Sequence, residues 1–451
     1  MTRHLNACLK TQRLACRQSP APSLSERRAL LARLALMTKR HRQAITEAIQ
    51  ADFGKRSDVE IQLADIQPVL EAVRYARRHL WHWMRPWRVG VPWQLLPGRA
   101  RIVPQPLGVV GIISPWNYPW SLSLLPVVDA FAAGNRIMLK PSEFTLHTSA
   151  LLARLVTQYF SPQTLCVIEG DATTGQAFSA LPFDHLLFTG STAVGRHVAL
   201  AAAQNLTPTT LELGGKSPAF VAGDADFARA AEAIIFGKGM NGGQTCIAPD
   251  YVLVESRHID AFTSALSRAI LQQRPSAKDA THPLNEAQRE RSDAMLAEAR
   301  NHGCRIIDHG SHAPALVIDP NHGLAVMREE IFGRCLPVIS VKDSDHALAF
   351  VAERPQPLAI YVFTYQREQQ RQWRRKSQSG ALVFNTTLLH HAVPGLPFGG
   401  VGASGHGAYH GRHGFNRFSH LRGEFHQPKR SPATLLYPPY RRWLLKLLRL
   451  G

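Results

Sequence analysis

No run of 18 apolar residues occurs in the 451-residue chain, so no part of it is expected to cross a bilayer as a helix. The N-terminus is basic, with no acidic residue before Glu26, but it lacks the unbroken apolar core of a secretory signal. Cysteine is sparse. Cys8, Cys16, Cys166, Cys246, Cys304 and Cys335 stand far apart and form no C-x-x-C pair, which argues against a disulfide or zinc framework and for reduced thiols in the cytoplasm. No internal repeat at a fixed period is visible. Acidic residues are also few, 33 against 52 Lys and Arg, leaving a formal net charge of +19. The excess is concentrated early, with 21 Lys and Arg against 9 Asp and Glu in residues 1–150. It is mostly arginine scattered through apparent helices, as at Arg27, Arg28, Arg33, Arg40 and Arg42. That pattern fits solvated helix faces and favours solubility or steering over a nucleic-acid site.

What remains is a globular composition, 45% hydrophobic and 19% charged, long enough for two or three domains with sizeable cores. From Leu5 to about Arg85 apolar residues recur at helical spacing, with Ser25 as a candidate N-cap after the Pro20–Ser23 break. Trp81, Trp83, Trp87 and Trp93 then alternate with Pro86, Pro92 and Pro97, which reads as a proline-broken hairpin. Between Leu107 and Val254 short β-rich runs alternate with helical ones. Strands are predicted at 109–113, 136–140, 164–168, 185–189, 209–212 and 252–255, and helices at 148–159 and 225–237, a parallel α/β pattern. Residues 275–322 are less patterned, and a second α/β stretch covers 339–384. The chain ends in a Gly- and His-rich segment and a basic apolar tail, 437–450.

Several short motifs carry candidate chemistry. Gly242-Gly243-Gln244-Thr245-Cys246 puts a thiol behind glycines, where a ligand can approach closely; taken alone, it favours a buried structural cysteine. Leu211-Glu212-Leu213-Gly214-Gly215 sets a carboxylate among leucines, where it is either salt-bridged or a general base with a raised pKa. Ser114-Pro115-Trp116-Asn117-Tyr118-Pro119 follows an apolar run, and its prolines fix an amide donor or a simple Asx-turn. Phe188–Gly195 is a strand end, a Gly-Ser turn and a helix start suited to a pyrophosphate. The G-x-G-x-x-G at Gly400, Gly402 and Gly405 neither follows a strand nor opens a helix and is set aside as a turn. Gly214-Gly215-Lys216-Ser217 fails as a phosphate loop because Thr210 stands where the first glycine belongs. His406, His410 and His413 are interleaved with glycines without a nearby carboxylate, so no metal site is expected.

Taken together, these motifs resemble the aldehyde dehydrogenase superfamily, as do Lys140-Pro141-Ser142-Glu143, Glu329-Glu330-Ile331-Phe332-Gly333 and Pro397-Phe398-Gly399-Gly400. Seven motifs fall in that family's order from residue 114 to 400. Cys246-Ile247-Ala248-Pro249-Asp250-Tyr251, Gly407–Gly411, Ala51–Gly54 and the Trp-rich 81–88 are similar to its class 3-like branch, and there to bacterial coniferyl aldehyde dehydrogenases.

The resemblance implies an α/β fold with a Rossmann-like NAD domain (1–80 and 104–211), a bridging hairpin (81–103), a catalytic domain (212–384) and a C-terminal dimerisation arm (385–451). It implies Cys246 as nucleophile, Asn117 as oxyanion donor and Glu212 as the base that activates water. It places Lys140 and Glu143 at the adenosine ribose, Gly190 and Ser191 at the pyrophosphate, Glu330 and Phe332 at the nicotinamide, and Trp116 and Gly195 also at the cofactor. NAD is expected, with NADP the second option, because Glu143 would repel a 2′-phosphate. The expected substrate is an aromatic aldehyde such as coniferyl aldehyde, or a medium-chain one, handled by a cytoplasmic homodimer. Arg334, Cys335 and Asn385-Thr386-Thr387 depart from the family pattern and bear on substrate choice. Two alternatives stay open: a CoA-acylating relative, and a non-catalytic basic binding protein on this fold. The tail raises a peripheral membrane contact as a further option.

Overall fold

The computed structural model describes residues 2–19, 21–273, 276, 279–439 and 443. The opening is helical, with long helices at Thr2–Gln18, Leu24–Arg40, Arg42–Phe53 and Gln67–Met84. The cap of the second is Ser23, not Ser25: the Ser23 side chain accepts from the Glu26 backbone N–H while the Glu26 carboxylate reaches back to Ser23, a reciprocal pair that fixes the start of the helix. The Trp-rich stretch also divides differently from the sequence expectation. Trp81 and Trp83 complete the Gln67–Met84 helix, and the hairpin proper is Trp87–Val89 with Arg99–Pro106, joined by Ser419–His426 into an antiparallel three-stranded sheet.

Two further sheets carry the rest. In the six-stranded sheet the spatial order is Gly405–His406, Thr209–Leu213, His185–Gly190, Val109–Ile113, Arg136–Lys140 and Leu165–Val167. All its neighbours are parallel except the short Gly405–His406 strand. The strands read as unbroken apolar runs, Val109–Ile113 being buried throughout, because helices cover both faces of a parallel sheet. One covering helix, Ser121–Ala133, is buried along its entire length, as a helix apolar on all sides must be. The chain winds outward in both directions from Val109–Ile113. The strand order therefore reverses between Val109–Ile113 and His185–Gly190, and loops at the carboxyl ends of strands at such a reversal form a ligand crevice.

The seven-stranded sheet runs Arg305–Asp308, Ala315–Ile318, Cys335–Val341, Tyr251–Glu255, Pro218–Val221, Ala359–Phe363 and Ala381–Phe384, parallel but for the first. Three elements here escaped the sequence reading, within the segment 275–322: helix Glu286–Asn301 and strands Arg305–Asp308 and Ala315–Ile318. That helix buries just Ser292, Met295, Leu296 and Ala299, too narrow an apolar stripe to stand out among its charges. Most of the basic tail lies outside the described residues. Among the described residues no helix is long and apolar enough to cross a membrane.

Candidate active site

The strand ends of the six-stranded sheet deliver four of the motifs to one edge. Ser114–Pro119 leaves Val109–Ile113, Lys140 ends its strand and leads to Glu143, Gly190-Ser191 ends His185–Gly190, and Glu212 lies at the end of Thr209–Leu213 opposite Thr189. The cysteine loop reaches this edge from the second sheet, being the connection into Tyr251–Glu255. It turns through the left-handed region at Asn241 (φ 54°), Gly242 (61°) and Gly243 (82°). A Cβ at Gly243 would overlap the Gly333 carbonyl, so glycine is required there for close approach as well as for φ.

Asn117 meets that loop directly: its Nδ2 donates to the Gln244 carbonyl at 3.1 Å. An amide has two donor hydrogens, so one remains for a ligand. The Asn117 backbone is itself held, its carbonyl accepting from Asn241 Nδ2 at 2.9 Å and Arg56 Nη1 at 3.1 Å. Arg56 forms a 2.9 Å ion pair with Asp65 in which both side chains are fully buried, and Asp65 accepts from the Trp120 and Ser121 backbone N–H groups. Gln244 is anchored to Asn241, His282 and Leu284, and Tyr118 bonds Thr245 at 2.6 Å. Arg56, Asp65 and Asn241 were not singled out from the sequence. They come from separate elements and share no spacing that could mark them.

Three acidic groups face this region, each pushed up by burial. Cys246 keeps a partly accessible face, yet its thiol is raised to about 12, first by burial and then by the negative charges of Glu330 and Glu212. Glu212 is buried with neither carboxylate oxygen hydrogen-bonded, and burial lifts it well above the usual carboxylate range, opposed by Arg417 alone. Glu330 is raised to about 8 by burial and by nearby Asp250. The loop carrying Glu330 is bolted down: Asp250 pairs with Lys216 and accepts from the Ile331 backbone at 3.0 Å. Lys216 also donates to the Val326 and Glu329 carbonyls. A Cβ on Gly214 would overlap the Glu330 carboxylate, so the glycines after Glu212 make room for the second acid.

The remaining sequence candidates fall as follows. Lys140 is buried and its Nζ donates to Glu143 Oε2 at 2.9 Å, a donor and an acceptor side by side, as a ribose diol needs. Ser191 caps the Thr192–Ala203 helix, Gly195 lies in its first turn against Leu213, and the Thr189 hydroxyl beside them is buried without a partner. A helix N-terminus with glycine access and an unpartnered hydroxyl fits a pyrophosphate. Trp116 and Phe332 meet edge to face at 5.3 Å. The Gly400–Gly405 turn is no phosphate loop, but Gly405 pairs with Glu212 across the sheet edge. His406 bonds Thr209 at 2.8 Å while His410 is buried apart at a helix start. Arg334 pairs with Asp308 at 2.8 Å and Cys335 is buried in its strand.

A doubly wound sheet whose strand-end loops meet a thiol-bearing loop from a second sheet defines a two-lobed enzyme of the nucleotide-cofactor type. The chain matches the model of the aldehyde dehydrogenase family over residues 3–423, and it belongs to that family. It is 44% identical to a probable coniferyl aldehyde dehydrogenase of Pseudomonas aeruginosa, covering 98% of this chain and 95% of the relative. It is 43% identical to a coniferyl aldehyde dehydrogenase of a Pseudomonas species, covering 90% and 87%. The solved structure of Staphylococcus aureus AldH in a substrate-bound state superposes with a TM-score of 0.93 at 34% identity, covering 99% of each chain. The chain is thus an NAD(P)-dependent aldehyde dehydrogenase.

Proposed function

We propose that Cys246, Asn117 and Glu212 carry the reaction. The carrying observation is the Asn117 amide held 3.1 Å from the Gln244 carbonyl, with one hydrogen to spare, together with a buried Glu212 carboxylate that has no hydrogen-bond partner and whose charge bears on the Cys246 thiol. The Cys246 sulfur attacks the aldehyde carbon, the thiol proton leaves, and the oxygen becomes the thiohemiacetal oxyanion. The free Asn117 N–H and the Cys246 backbone N–H face that charge. A nicotinamide held at Trp116, Glu330 and Phe332 would supply an acceptor for the hydride of that carbon and a positive charge that favours the thiolate. The resulting thioester on Cys246 is opened by water, whose proton Glu212 takes once ionised, and the carboxylic acid leaves with the thiol restored. A base placed for water favours hydrolysis over acylation of CoA. Three aligned groups of this kind argue against a non-catalytic binding role.

Lys140 and Glu143 would hold the adenosine ribose, Gly190, Ser191 and Gly195 the pyrophosphate, and Trp116, Glu330 and Phe332 the nicotinamide end. NAD is the preferred cofactor on this reading, since Glu143 disfavours a 2′-phosphate. The names of the Pseudomonas relatives support an aromatic aldehyde such as coniferyl aldehyde, with a medium-chain aldehyde as the second choice. The cofactor domain is assigned to 1–80 and 104–211, and the catalytic domain to 212–384. The three-stranded sheet exposes Val89, Leu421 and Phe425 near Trp93 and Leu96, an apolar face suited to a homodimer. Six free thiols fit a reducing cytoplasm. The test is aldehyde-dependent NADH formation at 340 nm. Cys246→Ala should abolish it, and full activity in that variant would overturn the assignment.

A further inference from the structure

The N-terminal helix carries thiols that the reaction does not use. In Thr2–Gln18 the residues Cys8, Gln12 and Cys16 recur at every fourth position, which sets them on one face. Gln12 is buried against the outer strands of the six-stranded sheet. Its side-chain amide donates to the Ile137 carbonyl at 2.9 Å and the Pro162 carbonyl at 3.0 Å, and the same nitrogen lies 3.6 Å from the Cys166 sulfur. Cys166 belongs to the edge strand Leu165–Val167, in register with Met138. Cys8, one helical turn before Gln12, meets that sulfur too: the two thiols lie within hydrogen-bonding reach of each other, and the Nε2 of exposed His4 is 3.7 Å from the Cys8 sulfur. Cys16 is two turns further along, about 12 Å by helix rise, and faces Arg136 instead. A disulfide needs Cα atoms within about 7 Å, so the partner of Cys8 is Cys166 and not Cys16.

The two sulfurs take different roles. Cys8 is half-buried, and its hydrogen bond with Cys166 holds its thiol below the usual cysteine range, against a smaller rise from burial and with help from the charge of His4. Cys166 is pushed up, first by the same bond and then by burial. The proton therefore stays on Cys166 and the negative charge on Cys8. Burial pushes Cys16, Cys246 and Cys335 up, so Cys8 has the advantage over them toward an electrophile. Thiolate character, access to solvent and an adjacent second thiol together are what a redox-responsive cysteine requires.

We propose that Cys8 and Cys166 are a redox-responsive thiol pair, which hydrogen peroxide converts to a disulfide pinning the N-terminal helix to the edge of the six-stranded sheet. The Cys8 thiolate attacks one peroxide oxygen: an S–O bond forms, the O–O bond breaks, and the departing hydroxide takes up a proton to leave as water. Cys8 is then a sulfenic acid. The Cys166 sulfur attacks the Cys8 sulfur and gives up its proton, the S–S bond forms, the S–O bond breaks, and the second water leaves. Each sulfur gives one electron, and the peroxide takes both. Strand Leu165–Val167 borders Arg136–Lys140, so the link braces the strand that ends in Lys140. In a reducing cytoplasm such a bond is transient, as a sensing disulfide is.

The experiment treats the freshly reduced full-length chain with a small excess of hydrogen peroxide, blocks the remaining thiols with iodoacetamide and maps the peptides by mass spectrometry. A peptide pair linked through Cys8 and Cys166 should form and should disappear with dithiothreitol. Cys166→Ser should stop at a Cys8 sulfenic acid that dimedone traps, and Cys8→Ser should form no link, both variants keeping the NADH-forming activity of the unsubstituted protein. Tm should rise on oxidation and return on reduction, because the link closes a long loop. A further readout needs no variant: in the reduced unsubstituted protein iodoacetamide should label Cys8 at least about tenfold faster than Cys16. A link from Cys8 to Cys16, oxidation that spares Cys8, or labelling of Cys8 no faster than Cys16 would overturn the pair, and an unchanged Tm in the linked form would overturn the brace.

Discussion

Arg56→Met probes how Asn117, the proposed oxyanion donor, is held. The guanidinium is buried, pairs with Asp65 at 2.9 Å, donates to the Asn117 carbonyl, and lies over the rings of Phe53 and Tyr118 at 4.8 and 4.9 Å. Methionine fills much of the volume but removes the charge, leaving the Asp65 carboxylate uncompensated where both side chains are fully buried. Breaking such a pair costs about 3–5 kcal/mol, which is roughly two to four powers of ten in the folded-to-unfolded ratio. The loss should depend on pH. Burial already raises Asp65, and without Arg56 it rises further. A carboxyl whose folded pKa is raised stabilises at low pH, and that stabilisation is lost as pH rises through the folded value. The deficit should therefore be larger near pH 8 than near pH 5.5. Adding Asp65→Asn should recover most of it, because an amide oxygen can still accept from the Trp120 and Ser121 N–H groups without a charge. The assay is urea unfolding followed by tryptophan fluorescence, with kcat alongside. A deficit below about 1 kcal/mol, the scale of an exposed pair, or one unaffected by Asp65→Asn, would refute the reasoning.

Three further outcomes are expected. Asn117→Ala should lower kcat by about 10²–10³ with KM little changed, the usual loss for one oxyanion donor; an equal change in KM alone would show that it merely binds substrate. Glu212→Gln should keep a burst of about one NADH per active site but slow the steady state by about 10²–10⁴. Because burial keeps Glu212 protonated well above the usual carboxylate range, the unsubstituted rate should climb as pH rises above that range, and loss of that climb in the variant is the check. Glu143→Gln should raise kcat/KM for NADP relative to NAD by about tenfold, as removal of a charge near the ribose implies; an unchanged ratio would move the 2′-position elsewhere.

Much of the architecture is legible from residue order. The runs at 109–113, 136–140 and 185–189 are strands because they are β-rich and apolar on both faces, and the burial of Val109–Ile113 bears this out. The Trp87–Val89 and Arg99–Pro106 hairpin also follows from its prolines. Helix Glu286–Asn301 was missed because four buried side chains among many charges leave little period to detect. The cap falls at Ser23 and not at Ser25 because Glu26, three residues after Ser23, completes the reciprocal pair.

By themselves the residues determined the kind of fold and the family, and they supplied the candidate thiol, amide and carboxylate, because each sits in a short motif whose local geometry its own glycines and prolines impose. Tertiary structure alone decided what surrounds them. Arg56 and Asp65 hold Asn117 from the helical opening, Gly405 backs Glu212 from nearly two hundred residues away, and Lys216 with Asp250 fastens the Glu330 loop. Cys8 and Cys166 meet across a helix and a strand where no spacing announces them. Burial is what raises Glu212 and Cys246, and burial belongs to the packed chain, since it depends on neighbours that sequence distance does not reveal.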